Sequence, residues 1–166
     1  MAMVSNAMAS SIISNVQGKD NASAANNAFY EALCDYVEQN AMVIYAWVGV
    51  NPMGVPDPQV VLNCKIKTSG SLSPSGATDC NSALSIFSAN LNNNAAQWQV
   101  QWPEGFSLSP AFVIPTIVIT PSMATDMNAA WNAVCSQIIA GLKSATPSSS
   151  GSHGAFTGTA TFTSLI

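Results

Sequence analysis

The chain has 166 residues, of which 4 are basic, 8 are acidic and 1 is a histidine, giving a net charge of −4. The basic residues are all lysines (Lys19, Lys65, Lys67 and Lys143), and charged residues make up 7% of the chain, against about 25% in an ordinary soluble domain. No nucleic-acid partner is expected, because phosphate neutralisation needs Lys and Arg. Disorder of the whole chain is equally disfavoured, because 48% of the residues are apolar.

At this length a single domain with its own core is expected. The most apolar runs, Ala41 to Val50 and Ala111 to Ile119, are too short to span a membrane. The first sixteen residues have no basic leading segment, which predicts a cytoplasmically made chain that keeps its amino terminus. Cys34, Cys64, Cys80 and Cys135 have neither Cys-x-x-Cys spacing nor a histidine partner. They read as buried free thiols, with no metal and no cofactor.

Met1, Val4, Met8 and Ile12 recur at helical spacing and predict a short helix ending near Gly18. A second helix is expected over Ala24 to Gln39, with Phe29, Leu33 and Val37 in line and Glu31, Asp35 and Glu38 around the other side. Together these make an amino-terminal helical segment over residues 1–40. Met42 to Val50 is apolar on both faces, as in a central strand. Three prolines between Asn51 and Pro58 stop it, and Gln59 to Thr68 then alternates cleanly, so the two strands should form a hairpin across a long loop.

A third helix over Asp79 to Asn92 places Cys80, Leu84, Phe87 and Leu91 on one stripe. Trp98, Val100 and Trp102 alternate with glutamines as an amphipathic strand that Pro103 halts. Phe112 to Thr120 reads as a further strand, with Pro115 placing it at an edge or a bulge. The longest helix is expected over Ala124 to Lys143. Residues 41–143 thus form an α+β core. Residues 144–154, rich in Ser, Gly and Pro, read as a flexible linker, and residues 155–166 as a carboxyl-terminal strand. In all, about four helices and a mixed sheet of about five or six strands are expected.

The segment 73–83 aligns without gaps on 120–130, with seven of eleven positions identical. Each copy follows a predicted strand and opens a predicted helix, which suggests a duplicated strand–helix unit. The shared Pro, Ser/Thr and Asp end a strand, cap a helix and complement its dipole. They are not an active site.

Reaction chemistry is scarce, and no catalytic residue is assigned. His153, the only histidine, sits in Ser-Gly-Ser-His-Gly beside Ser150 and Ser152, where a loop lacks the fixed geometry of a Ser/His/acid relay. Glu31, Asp35 and Glu38 share one helix face and read as a solvated surface or a contact for a partner's Lys. Trp98 and Trp102 offer a sugar-stacking platform to a secreted carbohydrate-binding or adhesion module, although two tryptophans on one strand face more often belong to the core.

The run from Lys143 to Thr163 (KSATPSSSGSHGAFTGTATFT) resembles the carboxyl-terminal region of virion structural proteins of large tailed bacteriophages. The small-residue helices followed by Cys34-Asp-Tyr-Val-Glu-Gln-Asn40 and an apolar strand are similar to the same group. The resemblance implies a non-enzymatic tail, baseplate or neck component, present in several copies and assembled in the host cytoplasm into the virion. Its partners would be copies of itself and other virion proteins. The expected interface residues are Met1 and Met8 on the first helix, and Phe156, Thr157, Thr159, Thr161 and Thr163 on a strand edge that pairs with a neighbour's sheet.

Overall fold

Six strands form one sheet in the order β3-β2-β1-β6-β5-β4, and every pair is antiparallel, where the sequence suggested a mixed sheet. The structure is a computed structural model that describes residues 3–72, 80–109, 116–120, 126–144 and 148–166. The elements follow as α1 (Ser5–Val16), α2 (Ala22–Asn40), β1 (Met42–Val50), β2 (Val61–Lys67), α3 (Cys80–Ala95), β3 (Gln99–Gln101), β4 (Phe106–Ser109), α4 (Met127–Lys143), β5 (Ser148–His153) and β6 (Phe156–Leu165). The fold is α+β, with the helices on one face of the sheet.

Two of the helices start where side chains accept free amide hydrogens, whereas α1 starts at Val4 with no side-chain cap. Asn21 caps α2 by accepting from Ala24 N at 2.9 Å, and Asp126 caps α4 by accepting from Ala129 N at 2.9 Å. Asp126 belongs to the second copy of the sequence repeat. Residues 73–79 and 121–125 of the two copies lie outside the described residues, as does Met1. The longest described helix is α2, not α4.

On the inner face, Val43, Tyr45 and Trp47 of β1, Leu62, Cys64 and Ile66 of β2 and Ala160 of β6 are buried in the core. Phe29 of α2 joins the helical layer together, with ring centroids 4.8 Å from Phe87 of α3 and 5.0 Å from Trp131 of α4. Met8 is 0% exposed and sits in the same core with Met3 and Ile12. It is therefore not available to a neighbour. The single apolar stripe of α1 is already used within the chain, against α2 and α4.

Three expectations change in the sheet. Ser148–His153, read as part of a flexible linker, is strand β5, because a hairpin through Gly154 (φ +57) pairs it with β6. Phe156–Leu165, read as an exposed edge, is the interior strand β6, with β1 on one side and β5 on the other. The ladder is thereby used up, and β3 and β4 are the edges. Lastly, of the strand expected over Phe112 to Thr120, residues 112–115 lie outside the described residues and residues 116–120 are not in the sheet. They run beside α3 and α4, and side-chain amides replace ladder partners. Ile117 N donates to Asn92 Oδ1 at 2.7 Å, and Asn92 Nδ2 donates to Ile117 O at 2.8 Å. Gln137 makes the equivalent bonds to Thr120 N and O, at 2.8 and 3.2 Å.

Candidate functional site

The inner-face end of the sheet holds the one contact between a carboxylate and a basic side chain among the described residues. His153 Nδ1 lies 2.6 Å from Asp57 Oδ2. Asp57 is 5% exposed, in the proline-rich loop between β1 and β2, and its own N–H donates to Gly49 O at 2.8 Å. The same Oδ2 accepts from Trp47 Nε1 at 2.8 Å, while Oδ1 accepts from Gln59 N at 3.0 Å. Burial by itself would raise this carboxyl. The hydrogen bonds from Gln59, His153 and Trp47, with the attraction to the imidazole, outweigh that and hold it below its ordinary value. An ionised carboxylate only accepts, so Nδ1 carries the imidazole proton.

Aromatic rings wall the pair. Phe106 of β4 stacks on the His153 ring at 4.0 Å with an interplanar angle of 4°, and meets Trp47 edge-on at 5.4 Å. The Trp47 indole reaches Asp57 by lying over Gly49, where an added Cβ would come within 2.6 Å of the ring. Gly49, Gly158 and Gly151 form one row across β1, β6 and β5. A side chain at Gly158 would strike the backbone of Val48 and Gly49.

An acid–imidazole pair is two thirds of a nucleophilic relay and needs a hydroxyl or thiol within hydrogen-bond reach. Strand alternation puts Ser150 and Ser152 on the opposite face of β5 from His153. The backbone of Gly105 lies against the free edge of the ring, so that an added Cβ there would be 3.1 Å from Cδ2. The geometry is that of a clasp: it ties the 51–60 loop, β1 and the β4–β5 ladder together. The sequence reading singled out His153 but missed Asp57. The signal available was Trp47, an indole N–H in an otherwise apolar strand that had to find a nearby acceptor.

The other sequence candidates disperse. Trp98 is 1% exposed, and its Nε1 donates to Tyr30 Oη and Ser69 O, both at 3.2 Å. Trp102 packs half-buried on Tyr45 at 5.0 Å. The sugar-stacking platform is thus part of the core. Glu38 turns away from Glu31 and Asp35 to accept from Thr68 N and Oγ1, at 2.8 and 2.6 Å, while the other two carboxylates are exposed. Cys34, Cys64 and Cys135 are free thiols, and burial pushes Cys64 and Cys135 up to about 12.

A distinctive surface is the outer face of the sheet. Thr157, Thr159, Thr161 and Thr163 project from it, exposed, down the middle of the sheet. Pairing sets them in rows: Val50–Thr157–Ser152–Ser107, Val48–Thr159–Ser150–Ser109, and Val61–Ala46–Thr161–Ser148. Phe156, by contrast, lies on the inner face, toward His153. No aromatic residue stands on the outer face of the six strands, and its only charges are Lys65 and Lys67 on β2. On β1 and β2 the apolar side chains of this face are presented to solvent, Val48 being 73% exposed, with Val50 and Val61 also exposed; Met53 (84%), Val55 and Val60, between the two strands, are exposed as well.

Comparison with protein-family models, with curated proteins and with solved structures finds no match to this chain.

Proposed function

We propose that the chain is a non-enzymatic structural subunit of a bacteriophage particle, in its tail, baseplate or neck, held there by protein–protein interfaces. The observation that supports this reading best is the uncovered outer face of the sheet. Exposed apolar surface marks an interaction site, and here the exposed Val48 and Val50 stand in the same rows as uncharged hydroxyl side chains. Such a face loses little on desolvation, because Ser and Thr hydroxyls find new partners and no carboxylate must be stripped of water. The particle itself is suggested by the resemblance of Lys143 to Thr163 and of Cys34 to Asn40 to virion structural proteins.

On this reading, the low charge of the chain suits a surface that neighbours cover in the finished assembly. The clasp of Asp57 with His153 and Trp47 ties the loop that carries Met53 and Val55 to β5 and β1. The test is to purify particles made from the genome that encodes the chain, identify their proteins by mass spectrometry and label them with antibody for electron microscopy. The chain is expected at a stoichiometry of several copies, with label on the tail, baseplate or neck. Complete, infectious particles that lack it would overturn the reading.

A further inference from the structure

We infer that the outer face of the sheet is closed by a second copy of the same chain, the two sheets packing face to face. This rests on the reading of the chain as an assembling subunit, and it names the first partner of that surface. Three observations carry it: area, charge and the short side chains of three of its strands.

Six strands spaced by about 4.8 Å, with their lengths at about 3.3 Å per residue, offer a face of about 600 Å² on each copy. Two copies would bury about 1,200 Å², at the lower end of what stable, specific interfaces cover. The face is therefore large enough for a self-complementary contact without help from the helical layer.

Charge then selects among partners. The outer positions of β1, β6, β5 and β4 hold only Met, Ile, Ala, Val, Thr and Ser. A charged partner would lose its water there and gain no counter-charge beyond Lys65 and Lys67 at one side. A second copy presents a neutral face to a neutral face. Its lysines fall near the rim, because β2 lies next to the edge strand β3. The short Ser and Thr side chains across β6, β5 and β4 also let two sheets reach the spacing of about 10 Å found in β-sandwiches.

The alternative contact between copies is pairing at the edges β3 or β4, which continues the ladder and leaves the outer face in water. Point substitutions separate the two. Val48→Asp and Thr159→Lys each place one charge at the centre of the outer face, on side chains that are exposed within a single chain. Asp35→Lys places a comparable change on the exposed side of α2.

Sedimentation equilibrium of the full chain over a range of concentrations reads the result, with circular dichroism to establish that each variant is folded. Wild type and Asp35→Lys are expected at twice the 17.2 kDa chain mass. Folded Val48→Asp and Thr159→Lys are expected to weaken the dimer at least about a hundredfold, because each buries an unpaired charge twice over. A wild-type monomer at every concentration overturns the proposal, and so does a dimer that both outer-face variants leave intact, which would indicate edge pairing. Neither result touches the chain's presence in particles, which the labelling experiment decides separately.

Discussion

Asp57 and His153 meet at 2.6 Å although 96 residues separate them, and the Trp47 indole donates to the same carboxylate oxygen. Each of the three belongs to a different element: the β1–β2 loop, the end of β5, and β1. The carboxyl is held below its ordinary value of 3.8, against the opposing pull of burial, by hydrogen bonds that exist only in the folded chain. A carboxyl with a lowered folded value stabilises fully above the range where the unfolded group titrates, and that contribution disappears as pH falls through the folded value. Asp57→Asn should therefore be less stable than wild type at neutral pH, with the gap narrowing below pH 3.8. Urea unfolding of both proteins across that range is the measurement; a gap that stays constant with pH would mean that Asp57 acts through packing alone.

Gly49 sets the path of the indole that reaches Asp57. An added Cβ would lie 2.6 to 2.8 Å from three ring atoms of Trp47, too close for the ring to stay. Gly49→Ala should cost about 1–3 kcal/mol by overpacking. It should also move the Trp47 indole N–H resonance, which reports the bond to the carboxylate. An unmoved resonance in a destabilised variant would place the strain elsewhere.

Asn92 satisfies both backbone groups of Ile117, whereas Ser88 Oγ adds only a second donor to Ile117 O, at 2.8 Å. Removing Asn92 leaves an amide hydrogen without a partner beside a fully buried side chain. Asn92→Ala should lower stability by about 1–3 kcal/mol, and Ser88→Ala by less than about 1 kcal/mol, because the carbonyl keeps one donor. Hydrogen exchange at the Ile117 amide should speed up in the first variant only.

The Tyr45 hydroxyl is buried with no hydrogen-bond partner among the described residues. Burial pushes its pKa upward, so it stays neutral, and the hydroxyl contributes a desolvation cost with nothing to offset it. Tyr45→Phe keeps the ring contacts with Trp102 and Phe162. It should raise stability by about 1 kcal/mol, read as a higher denaturant midpoint at an unchanged slope. A loss of stability would show that the hydroxyl has a partner in the native protein.

Periodicity made the elements legible because burial on one face of a helix or strand is a local property. Val60, Leu62, Cys64 and Ile66 alternate with Val61, Asn63, Lys65 and Lys67, and β2 buries Leu62, Cys64 and Ile66 while exposing the second set from Val61 onward. The helix stripes through Phe29, Leu33 and Val37, and through Val134, Ile138 and Leu142, are likewise buried. The hairpin of β1 with β2 followed from three prolines that interrupt two strands. Turn chemistry misled at Ser148 to His153. Serine and glycine are weak strand formers, and β5 exists because β6 and β4 pair with it on both sides.

The sequence alone determined the periodic elements and the shortage of charge, both of which depend on residues close together in the chain. Tertiary structure alone decided which strand is interior, which apolar helix face is already occupied, and which carboxylate meets the single histidine. Those outcomes depend on ladder bonds and contacts between residues tens of positions apart. Met8 looks the same in the sequence whether its own chain or a neighbour covers it, and only the packing of α1 against α2 and α4 assigns it to the core. Thr157 to Thr163 read as an edge by composition. Pairing with β1 and β5 turned them into the middle of a face, and so moved the candidate interface from the backbone of a strand to the side chains of a sheet.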